Sequence, residues 1–340
     1  MNPHPTLHHS IEDCLGPSTT RFFGEGYRRV GSRLGELSVR PAPSGGAATA
    51  TAGVRYPADW SVREAADAPR PHLSTIDTLV LAVQTAEAYL THAFGLTAEQ
   101  RRRSWLRGFS MRAGARPQED LLDIPVTATA LHTLPARWGL CAAVTSFEVR
   151  IGAMRVELAV EHDIAAPNGR TAAWAAADDL LGDPDARYYG RAFTRRPQRV
   201  AEVAVDGPAG RVTALVACGS AVAGAAAPGA DPTGPGEGFA AAYEPSLSMV
   251  DGIVATAQMA QAVMYAMDGV ERRQTGTLWM RRLAMTAKTP YQPLDNAFVC
   301  SLSVRRRLLG RGAEDWRMYE VAALFQGIAV SSSVAYAVHA

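Results

Sequence analysis

The chain has 340 residues, of which 47% are hydrophobic and 20% charged, and its formal net charge at pH 7 is +1. These values are typical of a soluble globular protein with room for two domains. The balanced charge argues against a protein built to bind nucleic-acid phosphates, and the hydrophobic content argues against a disordered chain.

Cysteine spacing and the apolar tracts indicate the cellular setting. The four cysteines form no Cys-x-x-Cys or Cys/His ligand pattern, so we expect neither a metal site nor a disulfide framework. We expect a reducing, cytoplasmic compartment, because free cysteines are typical of one. The N-terminus lacks the pattern of a signal peptide, and polar residues interrupt the longest apolar tract, 321–340. We therefore expect no membrane partner.

Strand-like and helical patterns follow one another in an order that occurs twice. Residues 47–56 predict a strand, and residues 74–94 predict a helix that is apolar on nearly all sides and is therefore buried. Residues 199–218 and 248–267 predict the same pair in the second half. Four further strands follow each helix: 105–113, 124–131, 140–150 and 154–163, then 278–288, 297–307, 316–324 and 328–338.

The second half repeats the first at a fixed offset of 174 residues. Seven of the sixteen positions from Leu73 to Ala88 are identical in the two copies, and the register continues at Trp105 over Trp279. A period this long indicates two copies of a domain. We predict repeats at 1–175 and 199–340, with a polar linker at 176–198. The second repeat carries a flexible Gly/Ala/Pro-rich loop at 219–238, which is either a tolerated insertion or a lid.

The order of elements predicts the fold. One strand, a long buried helix and several antiparallel strands form the order of the hotdog fold, in which a sheet wraps around the helix. We therefore predict an α+β double hotdog, with two tandem repeats whose sheets join edge to edge. Ligand tunnels in such a fold run between the repeats, beside the N-termini of the helices.

Three segments carry a resemblance to a known family. The segment 21–30 (RFFGEGYRRV), the segment 56–61 (YPADWS) and the segment 71–77 (PHLSTID) resemble the AvrD (avirulence D) family. The resemblance covers most of the chain and implies a role in making syringolides, which are acyl glycosides. It implies that a β-ketoacyl thioester condenses with a sugar or polyol, with cyclisation to a butenolide-like product and no cofactor. It assigns no catalytic residues.

A second resemblance is weaker and points to related chemistry. His72, followed by Gln84, resembles the helix-entry pattern of A-factor synthase, a γ-butyrolactone enzyme. That resemblance implies transfer of a β-ketoacyl group to a small hydroxylated acceptor. The donor in either case would be an acyl-CoA or an acyl carrier protein thioester.

The candidate catalytic residues lie at the starts of the two predicted helices. His72 is a candidate general base, because histidine exchanges protons near neutral pH. Its counterpart in the second copy is Ser246. This asymmetry is expected if only one of the two equivalent sites is catalytic. The alternative is a histidine that merely precedes the helix. Asp77 and Asp251 are candidate acid/base groups or orient His72. The alternative is helix capping with the preceding serine, Ser248 in the second copy.

Further polar residues are candidates for substrate binding. Gln84 and Gln258 lie in apolar helices and must find partners, either a ligand oxygen or each other across the pseudo-twofold axis. Arg107 and Arg281 recur beside tryptophans and could bind a carrier or sugar phosphate. Tyr27 belongs to the family-like motif. We also assign Ser248 here, because helix N-termini offer N–H groups to a thioester carbonyl.

The arginine runs suggest a partner. Residues 101–103 and 305–307 form solvated faces or receive an acidic carrier protein. We expect small-molecule substrates, an acyl carrier protein as an optional partner, and an optional homodimer.

Two other functions stay open. A hotdog dehydratase or cyclase would carry a helix carboxylate four residues before the glutamine, where Val80 and Val254 stand. Pairing His72 with Asp251 would loosely satisfy the dehydratase pattern. A non-catalytic hotdog that binds a small ligand is the remaining alternative.

Overall fold

The computed structural model describes residues 4–42, 45–62, 70–219, 236–294, 296–310 and 315–338. The predicted flexible loop at 219–238 lies mostly outside the described residues. The strands are β1 (Thr6–Ser10), β2 (Gly31–Arg40), β3 (Ala47–Arg55), β4 (Trp105–Arg112), β5 (Ile124–Pro135), β6 (Ala143–Ile151), β7 (Met154–His162), β8 (Ala172–Ala176), β9 (Gln198–Asp206), β10 (Arg211–Cys218), β11 (Trp279–Ala287), β12 (Phe298–Leu309), β13 (Asp315–Phe325) and β14 (Ile328–Val338). The α-helices are α1 (Ile11–Leu15), α2 (Thr75–Ala93), α3 (Ala98–Arg103), α4 (Asp178–Leu181) and α5 (Met249–Asp268).

All fourteen of these strands form one antiparallel sheet, in the order β1-β9-β10-β12-β13-β14-β11-β4-β7-β6-β5-β3-β2-β8. The two repeats meet where β11 pairs with β4, at Met285 opposite Phe109. Outward from that junction, the strand order of one repeat matches that of the other. The predicted α+β double hotdog is therefore confirmed, with the two sheets joined edge to edge. The predicted strand at 199–218 is a hairpin of β9 and β10.

The two long helices, α2 and α5, form the core of their repeats. Each is buried along almost its whole length, because apolar side chains surround it and the sheet of its own repeat covers it. Ser74 caps α2 by accepting a hydrogen bond from the Asp77 amide. Ser248 caps α5 in a capping box with Asp251. The first turns of both helices are thereby held in a defined position.

The segment that precedes each repeat crosses to the other repeat. Strand β1 pairs with β9 at the outer edge of the second sheet, with Thr6 opposite Val205. Strand β8 pairs with β2 at the outer edge of the first sheet, with Leu37 opposite Trp174. Neither crossing strand was predicted. The exchange ties each repeat to a segment that leads into the other.

These leading segments are themselves a repeat, in a register different from that of the helices. Residues 21–29 (RFFGEGYRR) correspond to residues 187–195 (RYYGRAFTR) at an offset of 166. The central glycine of each copy touches backbone: a Cβ on Gly24 would lie 2.2 Å from the Ser18 oxygen, and one on Gly190 would lie 2.2 Å from the Pro184 oxygen. The two segments thus make the same tight turn.

The segment 176–198 has more structure than its linker-like composition predicts. It contains α4 and a 3-10 turn at Ala192–Arg195, and Tyr188 and Tyr189 belong to the core. Within the part of the chain that the structure describes, no helix is long and apolar enough to cross a membrane.

Candidate active site

A pocket opens at the start of α2, between the two repeats. It encloses about 760 Å³ of empty space, its open mouth included. Its walls come from the first leading segment, from the start of α2, from the middle of α5 and from the approach to β11. The apolar side chains that line it are those of Phe22, Phe23, Trp60, Leu73, Met111, Met154, Leu278, Trp279 and Met280. The polar ones are those of Arg21, Ser61, His72, Ser74, Thr75, Gln261, Arg272 and Thr277.

His72 lies on the wall of this pocket. Its ring packs edge-on against the indole of Trp60, with centroids 5.9 Å apart, and its Nδ1 lies 3.5 Å from the Arg70 carbonyl oxygen. Burial lowers the pKa of the His72 imidazole below its ordinary 6.5. The ring is therefore neutral at pH 7. With the proton on Nδ1, its Nε2 is available to accept a proton.

The start of α2 is the second polar element of the pocket. Ser74 and Thr75 line it, and the first N–H groups of a helix have no partner within the helix. Helix N-termini also carry a partial positive charge, so this wall favours a carbonyl oxygen that gains negative charge.

Asp77 lies behind that wall and is held there by hydrogen bonds. Its Oδ2 accepts from the Tyr56 hydroxyl and, at 2.6 Å, from the Ser74 hydroxyl. Tyr56 in turn accepts a hydrogen bond from the Ser74 amide at 3.0 Å. Burial raises the pKa of the Asp77 carboxyl. Tyr56 was not among the predicted site residues, although it opens one of the three family-like segments.

Asp251 occupies the corresponding position at the start of α5 and has a charged partner. Its Oδ2 accepts from Arg196 at 2.9 Å, from the Ser248 amide at 2.8 Å and from the Ser248 hydroxyl at 2.9 Å. Ser248 also shares a hydrogen bond with Tyr188. The structure therefore places Asp251 beside Ser248. Asp251 does not line the pocket that holds His72.

A second, smaller pocket lies at the start of α5, related to the first by the pseudo-twofold axis. It holds about 480 Å³ of empty space, its open mouth included, and it is lined by Trp105, Tyr188 and Ser248 in the places of Trp279, Phe22 and Ser74. Ser246 stands where the first pocket has His72. Its hydroxyl donates to the Pro290 carbonyl at 2.9 Å and accepts from the Gln292 amide at 2.8 Å. Of the two equivalent positions, only the first holds an imidazole.

The two buried glutamines bind the leading segments. The Gln84 amide nitrogen donates to the Tyr189 carbonyl oxygen at 2.7 Å. The Gln258 side-chain oxygen accepts from Arg21 at 2.6 Å. Each glutamine thus holds the segment that leads into the opposite repeat. Neither contact is the pairing across the axis that the sequence suggested.

The remaining predicted binding residues lie around the pockets without lining them. Arg107 stacks over Trp105, 5.7 Å from the ring centroid, and pairs with Glu161 at 3.4 Å. Arg281 stacks over Trp279 at 4.2 Å. Tyr27 is buried, and burial raises the pKa of its phenol to about 12.

Sequence reasoning missed Arg21 and Gln261 as pocket residues. Arg21 is in the family-like motif, but its crossing to the other repeat has no local sequence signal. Gln261 is the counterpart of Glu87 at the offset of 174, and that change of charge was visible in the alignment of the two copies. Among the described residues, no three His, Cys, Asp or Glu side chains gather as a metal site would require.

Comparison with solved structures gives only weak likenesses. The tesB protein MAP1729c of Mycobacterium avium subs paratuberculosis is 12% identical, with a TM-score of 0.39 over 85% of this chain and 92% of that one. A conserved protein of unknown function with hot dog fold from Alicyclobacillus acidocaldarius is 9% identical, with a TM-score of 0.37 over 89% and 96%. The dehydratase domain of PpsC from Mycobacterium tuberculosis, in complex with C12:1-CoA, is 14% identical, with a TM-score of 0.37 over 88% and 97%. A search among curated proteins gives no significant match.

The family comparison is decisive where these likenesses are not. The model of one family, described as the Pseudomonas avirulence D protein (AvrD), matches residues 6–339. The match includes both leading segments, both long helices and the pocket that holds His72. The chain therefore belongs to the AvrD family.

Proposed function

We propose that this protein is a biosynthetic enzyme that transfers a β-ketoacyl group from a thioester to a hydroxyl of a small sugar or polyol. The observation that carries the proposal is the position of His72, neutral at pH 7, on the wall of an apolar pocket beside the first turn of α2. Membership of the AvrD family supports the same chemistry.

The pocket suits a substrate with an apolar chain and a polar head. Methionines and aromatic rings supply apolar walls: Met111, Met154 and Met280 with Phe22 and Trp279. Methionine adapts its shape to flexible acyl chains. The acyl chain lies along these walls, and its thioester carbonyl lies at the start of α2.

The transfer step follows from this placement. The Nε2 of His72 takes the proton of the acceptor hydroxyl, and that oxygen forms a bond to the thioester carbonyl carbon. The backbone N–H groups of Thr75 and Ile76, in the first turn of α2, stabilise the oxyanion. The carbon–sulfur bond then breaks, and the leaving thiolate takes the proton from the His72 imidazolium. Acyl transfer is direct, without a covalent acyl-enzyme, and cyclisation of the ketoester follows.

Dehydration is the less supported alternative, because it needs an acid near the histidine. The positions where a helix carboxylate would stand, Val80 and Val254, are apolar and buried. Asp77 is engaged by Tyr56 and Ser74, and Asp251 is engaged by Arg196 at the other helix.

The test uses β-ketodecanoyl-CoA with glycerol, dihydroxyacetone and xylulose as acceptors. Free CoA is measured by chromatography rather than with a thiol reagent, because the chain has four free cysteines of its own. Mass spectrometry identifies the ester. We expect acceptor-dependent release of CoA that His72→Ala abolishes.

Ser246→Ala is the matched control, since it changes the equivalent position of the second repeat, and we expect it to keep the activity. Thermal unfolding verifies that both variants are folded. Failure to release CoA with every acceptor would refute the proposed activity, and full activity of His72→Ala would refute the role of His72. Repeating the assay with the acyl group on a carrier protein distinguishes the two donors.

A further inference from the structure

A second apolar cavity adjoins the first pocket, beside α5, and we call it the α5 cavity. It holds about 290 Å³ of empty space, any opening included. Leu278 and Met280 line both this cavity and the first pocket, so they form the wall between the two spaces. The other lining residues come from one face of α5 and from β11 and β14: Ile253, Thr256, Ala257, Ala260, Leu283, Ser332 and Val334. None of these side chains is charged.

The α5 cavity lies where the second repeat carries smaller side chains than the first. Three lining residues are smaller than their counterparts 174 positions earlier: Ala257 for Val83, Leu283 for Phe109 and Ser332 for Leu158. The strand pairing confirms the correspondence, because Leu283 lies opposite Ser332 in one repeat and Phe109 lies opposite Leu158 in the other. The three larger side chains of the first repeat are buried in its core. The same space between helix and sheet is therefore filled by bulkier groups in the first repeat.

Two lining residues are larger than their counterparts, and neither fills the cavity. Thr256 stands in the place of Ala82, and its hydroxyl donates to the Gly252 carbonyl of its own helix at 2.6 Å. Leu278 stands in the place of Ser104 and belongs to the wall shared with the first pocket. The second repeat has therefore lost bulk between α5 and its sheet, and it has gained bulk at the wall toward the first pocket.

Smaller side chains in a core reduce stability, because they make fewer packing contacts, and ligand-binding sites accept such a loss. We propose that the α5 cavity receives the far end of the substrate's acyl chain and sets the preferred chain length. The chain runs along the first pocket, passes Leu278 and Met280, and ends between Ala257 and Ser332. Methionine is unbranched and flexible, so Met280 can turn aside to admit the chain. The inference rests on the proposed function for the identity of the substrate as an acyl thioester.

The experiment is a calorimetric titration of the full chain with uncleavable thioether analogues of β-ketohexanoyl-CoA and β-ketodecanoyl-CoA. The protein should bind the decanoyl analogue about tenfold more tightly or better, because the additional methylenes leave water for an apolar cavity. The variant Ala257→Val/Ser332→Leu returns two side chains of the first repeat to the α5 cavity. It should lower this preference to about threefold or less, because the added carbons occupy the space that the long chain needs. Binding of the hexanoyl analogue should stay within about twofold, because overpacking acts only where atoms overlap.

Val83→Ala is the matched control, because it makes the reverse change at the equivalent position of the first repeat and lines neither space. It should leave the preference for the decanoyl analogue within about twofold, because separate sites act independently. Thermal unfolding verifies that the variants are folded, and Ala257→Val alone should shift the preference in the same direction by a smaller factor.

The outcomes separate this inference from the proposed function. A folded double variant that keeps the preference of the unmodified protein, or that loses affinity for both analogues equally, would overturn the inference and leave the proposed function standing. Failure of the unmodified protein to bind either analogue would overturn both. Catalysis is not measured, so a dependence on chain length that the double variant removes supports the inference even where release of CoA fails.

Discussion

Replacing Arg196 by methionine should destabilise the fold strongly, because this arginine joins the second leading segment to the start of α5. Arg196 is 1% exposed. Its Nη2 contacts both oxygens of Glu244 at 2.7 Å, and its Nη1 contacts Asp251 at 2.9 Å. The substitution leaves two carboxylates, both largely buried, without their cation.

The expected loss is about 3–5 kcal/mol of unfolding free energy, the cost of breaking a buried ion pair by removing one partner. Urea unfolding followed by circular dichroism measures it. Arg195→Met is the matched control: its partner Asp185 is half-exposed and lies 3.5 Å away, so its loss should stay below about 1 kcal/mol. Adding Glu244→Gln to Arg196→Met should recover part of the loss, because it removes one uncompensated charge. Equal, small losses of unfolding free energy for Arg196→Met and Arg195→Met would show that the buried ion pairs of Arg196 do not stabilise the fold.

Three further outcomes are expected. Gly24→Ala and Gly190→Ala should each lower the free energy of unfolding by about 2 kcal/mol or more, because the new methyl group meets backbone atoms in both copies. Gly31→Ala is the control and should be tolerated, because open space surrounds that glycine. Equal effects of the three substitutions in urea unfolding would contradict the shared turn. Tyr56→Phe should lower the free energy of unfolding by about 1–2 kcal/mol, because the buried Asp77 carboxylate loses a hydrogen-bond donor. An unchanged midpoint of urea unfolding would argue against that hydrogen bond. The kcat/KM of acyl transfer should fall on acidification only below pH 6.5, because burial lowers the pKa of His72 and its neutral form is the base. A fall of kcat/KM that begins above pH 6.5 would exclude His72 as the general base.

The fold was predictable because the two copies keep the same residues where the core needs them. Leu73, Ser74 and Asp77 recur as Leu247, Ser248 and Asp251, so both helices and their caps could be located. The strands after each helix followed from their apolar patterns. The crossing strands β1 and β8 were not predictable, because they are short and half-exposed edge strands.

The correspondence between the two leading segments, 21–29 and 187–195, was missed because of its offset. Its offset is 166, eight residues less than the offset of 174 at the helices, so one fixed register hides it. Composition added to the difficulty: the segment 176–198 is rich in Asp and Arg, which is typical of a solvated connector. Two of those arginines, Arg187 and Arg196, are instead buried with carboxylate partners.

The site was predictable only in part. The asymmetry between His72 and Ser246 identified the pocket wall that differs between the repeats. Capping and catalysis require the same residue types at Asp77 and Asp251, and only the positions of Tyr56 and Arg196 show what holds each carboxylate. Similarly, the buried glutamines had to have partners, but the partners come from segments that are distant in sequence.

A crystal structure with a non-hydrolysable β-ketoacyl thioester analogue would show directly where the acyl group binds. We predict that the acyl chain occupies the pocket lined by Phe22, Met111 and Trp279, with the thioester carbonyl oxygen at the first turn of α2 and near His72. Binding of the analogue at the start of α5 instead, or a carbonyl that points away from α2 and His72, would contradict acyl transfer at the first pocket.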